Sequence, residues 1–79
     1  MWKVYIIKSQ KIKKYYIGCT NNFKRRLLEH NNGHNQTTEK DRPWILVYSE
    51  NFSNQKVAYA REKKIKSSKS GNAFKKLVK

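Results

Sequence analysis

Five side chains in this 79-residue sequence carry groups that could do chemistry together. Tyr5 and Tyr16 are phenols eleven positions apart. A phenol can orient water or pass a proton, but it titrates near pH ~10, so a base role needs positive charge beside it. Arg26 and His30 are one helical turn apart. A guanidinium fork matches two phosphate oxygens, and an imidazole can move a proton near neutrality. Glu62 is the only acid in a strongly basic helical segment. One carboxylate suffices to hold a hard cation that keeps several of its waters. Each residue also has an ordinary reading. The tyrosines can pack a sheet, Arg26 can be solvated beside Lys24 and Arg25, and His30 can be structural. Glu62 can be a surface i,i+4 partner of Lys66. Spacing alone leaves both readings open.

The elements that must position these groups follow from periodicity. Trp2 to Lys8 alternates with useful side chains on both faces and predicts a strand. Ile12 to Cys19 predicts a second. With Gln10 and Lys11 as the loop residues of a hairpin, Ser9 pairs with Ile12, and Tyr5 faces Tyr16 on one face of the sheet. Thr20 to Asn22 offers N-caps and Gly33 a C-terminal stop for a helix with Phe23 and Leu27 on its apolar stripe. Asn31 to Arg42 is polar and reads as a loop. Trp44 to Glu50 predicts a third strand, with Trp44, Leu46 and Tyr48 alternating against Ile45 and Val47, and Pro43 suits its start. Ser53 or Asn54 can cap a helix running to about Ser68, with Val57, Ala58 and Ile65 as its apolar stripe. Ser70-Gly71 breaks it, and Phe74, Leu77 and Val78 mark a short last helix. The order β-β-α-β-α-α predicts an α+β fold, a three-stranded sheet flanked by helices, in one domain spanning 1–79.

Composition narrows the partner. Leu, Ile, Val and Phe number 17 of 79, near the level of disordered chains, but their regular spacing argues for a packed core. There are 19 basic and 5 acidic residues, a formal charge of +14. Residues 1–28 hold eight Lys or Arg and no acid, and residues 63–79 hold seven Lys and no acid. Such self-repulsion is most simply used on a polyanion. A solubility surface or a ribosome-like scaffold are the bland alternatives. A membrane surface fits less well, because the basic segments lack a wide apolar face. The single Cys19 excludes an internal disulfide and cysteine-rich zinc sites. No apolar run approaches membrane-spanning length and no signal peptide opens the chain, so a cytoplasmic location is expected.

Five elements in order resemble a known family. Val4-Tyr5-Ile6 followed by Tyr16-Ile17-Gly18 resembles the paired signature of the GIY-YIG nucleases. Arg26 lies where that family has its helix arginine, with His30 one turn later. Ala58-Tyr59-Ala60-Arg61-Glu62-Lys63-Lys64-Ile65-Lys66 resembles its segment around a metal-binding glutamate. The likeness spans nearly the whole chain and is closest to the small single-domain bacterial, YhbQ-like group. It implies a sheet flanked by helices and a metal-dependent endonuclease that hydrolyses phosphodiester bonds, DNA before RNA, in DNA repair or processing. It further implies catalytic roles for Tyr5, Tyr16, Arg26, His30 and Glu62. Glu62 would ligate Mg2+ or Mn2+, Arg26 would hold the scissile phosphate, and one tyrosine would activate water. His30 would take a tyrosine's proton or touch phosphate. Gly18 would allow close backbone approach, and Lys14, Lys24, Arg25, Lys63 and Lys66 would bind the nucleic acid. No obligate protein partner is implied. Three features depart from the pattern. Lys3-Val4 precedes Tyr5 in place of Gly-Ile, and Cys19 stands where some members carry lysine. Asn72 lies closer to Glu62 than the family's downstream asparagine. These leave a non-catalytic nucleic-acid-binding protein of the same fold as the alternative.

Overall fold

The structure is a computed structural model, and it describes residues 1–33, 38–69 and 71–78. Three strands, β1 (Trp2–Ser9), β2 (Tyr15–Thr20) and β3 (Trp44–Phe52), form an antiparallel sheet in the order β2-β1-β3. α1 (Phe23–Asn31) covers one face. α2 (Gln55–Ser67) and α3 (Asn72–Leu77) cover the other. This is the α+β arrangement expected from the sequence. A short 3-10 turn, Glu39–Asp41, interrupts the segment read as loop. Residues 34–37 of that loop, and the Ser70 half of the Ser70-Gly71 break, lie outside the described residues.

The first hairpin differs from the expected one. β2 starts at Tyr15, and Ile12 is 47 % exposed in the turn. The Ser9 hydroxyl causes this, because it accepts from the backbone N–H groups of Lys11 and Ile12 at 3.0 and 3.1 Å. Ser9 N–H donates to the Lys14 carbonyl at 2.9 Å and closes the wider turn. Tyr5 therefore pairs with Gly18, and Tyr16 with Ile7. The slip is two residues, and strand side chains alternate with period two, so both tyrosines keep a common face.

A bulge between Ile6 and Ile7 breaks the alternation expected along β3. Tyr48 packs with Val4 and Ile6 on the α2 face, while Trp44 joins Tyr5 and Ile7 on the α1 face. The α2-face core is Val4, Ile6, Ile17, Ala58, Ile65 and Phe74. Val57, expected in the α2 stripe, is 52 % exposed. The buried row instead runs Ala58, Arg61, Glu62, Ile65, so two charged residues interrupt it.

Local signals set the helix ends. The Asn22 side chain accepts from Arg25 N–H and starts α1. Gly33 follows the C-cap with φ +78°, the left-handed conformation that glycine adopts without strain. The Asn54 side chain accepts from the N–H groups of Lys56 and Val57 and starts α2. The last residue of α1 is tied to the first of β3. Asn31 Oδ1 accepts from Trp44 N–H at 2.6 Å, and Asn31 Nδ2 donates to its carbonyl at 3.2 Å.

Candidate active site

Tyr5, Tyr16, Arg26 and His30 meet between the sheet and α1. Tyr5 is on the central strand and 1 % exposed. Its ring lies 6.5 Å from that of Tyr16 and 5.1 Å from Phe23, and the rings of Tyr16 and His30 are 4.8 Å apart. Opposite Tyr5 is Gly18, and a Cβ there would overlap the Tyr5 hydroxyl and ring edge. Glycine is required at that position by the tyrosine's close approach.

A buried polar chain runs through this cluster. The Tyr5 hydroxyl is 3.0 Å from His30 Nε2, and His30 Nδ1 is 2.8 Å from the Thr38 hydroxyl. The Arg26 guanidinium acts on the Tyr5 hydroxyl from the other side, favouring negative charge on its oxygen. A cation on that side favours the phenol oxygen turning its lone pairs toward Arg26 and its O–H donating to His30 Nε2. This assigns the His30 proton to Nδ1, which donates to Thr38. Trp44 Nε1 in turn donates to the Thr38 carbonyl at 2.9 Å. Among the described residues no buried side-chain polar atom is left without a partner.

Burial sets the protonation states. The Tyr5 phenol is pushed up to about 12, chiefly by desolvation, with the Arg26 guanidinium pulling the other way. His30 falls to about 4, from burial first and the Arg26 charge second. His30 is 0 % exposed, so it serves Tyr5 from within and offers no atom to a substrate phosphate. Of its two expected roles, the phosphate contact is removed by burial. Tyr16 is half-buried on the edge strand. The Arg26 side chain is 38 % exposed, and its Nη1 lies 3.2 Å from Glu29.

Glu62 approaches from α2. Its side chain is 18 % exposed and pairs with Lys66 at 2.8 Å. Its charge acts on both Tyr5 and Cys19, raising the titration of each, so it is electrostatically linked to the cluster near the glycine gap. Among the described residues no three His, Cys, Asp or Glu side chains gather into a metal-ligating group. One hard carboxylate suits a magnesium-type ion completed by water and phosphate oxygens, and does not suit zinc.

The five lysines and arginines expected to bind nucleic acid are exposed. Lys14 pairs with Asp41 at 3.1 Å, Arg25 with Glu29 at 3.8 Å and Lys66 with Glu62. Sequence reasoning missed Thr38, whose role depends on contacts distant in the chain. It also missed Glu50 and Arg61. Arg61 Nε and Nη2 donate to the two Glu50 oxygens at 2.8 and 2.9 Å, and the Tyr48 hydroxyl donates to the same carboxylate. The Arg61 guanidinium holds the Glu50 carboxyl below its ordinary range. This clamp fixes α2 against β3 one residue before Glu62. Arg61 could have been found from its place in the row between Ala58 and Ile65.

A family model described as the GIY-YIG catalytic domain matches residues 1–75. A UPF0213 protein of Clostridium perfringens (strain 13 / Type A) is 44 % identical over 64 residues, covering 80 % of this chain and 68 % of the relative. A UPF0213 protein of Staphylococcus haemolyticus (strain JCSC1435) is 42 % identical over 64 residues, covering 80 % of this chain and 77 % of the relative. No solved structure matches the chain significantly. With the family model spanning nearly all of its length, and the signature tyrosines, arginine and glycine in contact on one side of its sheet, the chain belongs to the GIY-YIG nuclease superfamily.

Proposed function

We propose that this protein is a metal-dependent endonuclease that hydrolyses phosphodiester bonds in nucleic acid, DNA in preference to RNA, in repair or processing. The observation that carries this reading is the buried Tyr5–His30–Thr38 chain with the Arg26 charge acting at its head and Tyr16 beside it on the accessible edge. Buried polar chains in a small core are costly unless fully satisfied, and this one aims a cation at the surface.

Each residue then has a task. Arg26, held from behind by Tyr5 and at its side by Glu29, presents its free N–H groups to the non-bridging oxygens of the scissile phosphate. Tyr16 orients the attacking water and relays its proton, taking it on the phenol oxygen as the hydroxyl hydrogen passes to solvent. The water oxygen bonds to phosphorus as one P–O ester bond breaks, and the leaving oxygen takes a proton from solvent, which balances the one the attacking water released. Tyr5 stays neutral up to about pH 12 and acts as the support for Arg26. Glu62 would hold the divalent ion, which when bound supplies positive charge to the phosphate and leaving oxygen. Lys24 and Lys63 supply sequence-independent phosphate contacts.

The test is a cleavage screen over labelled DNA and RNA, single-stranded, duplex and flapped, with magnesium or manganese. Glu62→Gln is the control. Cleavage by the parent that is lost in a folded Glu62→Gln variant is the expected result. Full activity in that variant overturns the metal-ligand role. A second reading, binding without cleavage, is favoured by the Lys66 ammonium seated on Glu62 and by Cys19 in place of a lysine. Salt-sensitive binding with no cleavage of any substrate would establish it.

A further inference from the structure

The concave surface not used above lies on the other side of β2. Successive β2 residues point to opposite faces, so Tyr16 faces α1 and Tyr15 faces α2 and α3. Tyr15 and Phe74 meet edge to face with centroids 5.4 Å apart. With Val78 they floor an open basin of about 540 Å³ rimmed by Lys13, Lys14, Lys69 and Lys75. Lys69 Nζ donates to the Tyr15 carbonyl at 2.9 Å, and Lys8 Nζ stands 5.8 Å from the Tyr15 ring centre. No acidic residue is among those lining the basin.

We propose that this basin binds one unpaired nucleotide of a single-stranded segment flanking the bond to be cut, its base against Tyr15 and its phosphates on the lysine rim. The proposal rests on the nucleic-acid reading above and adds the strand state of the substrate. An aromatic floor inside a cationic rim is the chemistry that holds single strands, since every base has a face to stack and every linkage a charge to neutralise. A paired base keeps its faces inside the helical stack and cannot offer one. Lys14 is already paired with Asp41, but an apolar peptide would bring no counter-charge to Lys13, Lys69 and Lys75, which have no acidic partner among the described residues. The placement also fits. Along α2, Lys66 follows Glu62 by one turn, about 6 Å at the helical rise, and Lys69 stands just beyond the C-cap Ser68. One strand crossing the β2 edge can therefore reach both the tyrosine cluster and the basin.

Binding is measured in the Glu62→Gln background, so that no substrate is consumed, with a labelled oligothymidylate and a blunt duplex of equal length. Lys13→Gln with Lys75→Gln removes two exposed charges. It should weaken single-strand binding about ten-fold at low salt and lower the salt slope by about 1.4, with a smaller loss for the duplex. Tyr15→Leu keeps an apolar contact and removes the stacking face. It should cost about ten-fold on the single strand with the salt slope unchanged. Equal losses on both ligands, or no loss on either, overturn the proposal. The catalytic reading is judged separately, by cleavage with the parent protein. Cleavage with basin-independent binding removes the basin and keeps the nuclease. Basin-dependent binding without cleavage keeps the basin and removes the nuclease.

Discussion

His30 should make this protein lose stability on mild acidification. The imidazole is 0 % exposed, accepts at Nε2 from Tyr5 and donates at Nδ1 to Thr38, so a second ring proton would displace the Tyr5 hydrogen. Burial, helped by the Arg26 charge, lowers its pKa from 6.5 to about 4. The sign follows from linkage. The unfolded chain takes up the proton below pH ~6.5 and the folded chain does not, so the stability is present above that pH and is lost as pH falls toward about 4. The full shift corresponds to about 3 kcal/mol. Between pH ~7.5 and pH ~5 the expected loss is about 2 kcal/mol. That is a large share of the roughly 4–12 kcal/mol typical of a domain this size.

The assay is urea denaturation across that range, for the parent and for His30→Gln. The amide can replace one hydrogen bond but cannot titrate. The parent should lose stability progressively as pH drops, while the variant starts lower and stays flat down to pH ~5. Following the His30 ring proton by NMR gives an independent check. A folded-state titration near the ordinary histidine value would refute the buried neutral assignment, and with it the direction of the Tyr5 hydrogen bond.

Four further outcomes follow from the same geometry. Tyr5→Phe leaves the buried Nε2 of His30 without a donor and should cost ~1–3 kcal/mol in denaturation. Tyr16→Phe should leave stability nearly unchanged while lowering cleavage by about 100-fold or more, and the opposite ranking would reverse the roles assigned to the two tyrosines. Gly18→Ala forces a methyl into the Tyr5 hydroxyl and should destabilise by ~1–3 kcal/mol, visible as a lower Tm; an unchanged Tm would show that Tyr5 can move aside. Glu50→Gln breaks the half-exposed clamp on Arg61 and should cost about 1 kcal/mol, less in high salt, with cleavage reduced further than that loss explains because α2 carries Glu62.

Much of this was legible from residue types and periods, and what was not has identifiable physical causes. The strands, the helix caps at Asn22 and Asn54 and the stop at Gly33 are local events, decided by side chains within a few residues. The shared face of Tyr5 and Tyr16 survived an error in register because the slip was even. The register itself was set by Ser9, whose hydroxyl builds the turn, and a serine next to a strand is too common to announce that. The bulge after Ile6 has no glycine to mark it. The burial of His30 depends on Thr38 and Trp44, which arrive from later in the chain, so no helical spacing could separate a surface histidine from an interior one.

Sheet order explains why two residues of one type are suited to different tasks. In the order β2-β1-β3, Tyr5 sits on the central strand, with neighbours on both sides and α1 above it. Such a phenol is desolvated, held neutral and fixed by its hydrogen bond to His30, which suits a support and disables a base. Tyr16 sits on the edge strand, where one flank of the backbone has no partner strand and the side chain is half open. Glycine at position 18 completes the division, because it lets the Tyr5 hydroxyl cross toward β2 and meet Arg26 while Glu62 acts on it from the α2 side. The same edge strand alternates Tyr15 to the far face, where it floors the lysine-rimmed basin. On the proposed reading, a substrate strand that wraps this edge would meet a positioned cation, an accessible phenol and a stacking surface in succession, presented by consecutive residues of β2 and the helices that flank it.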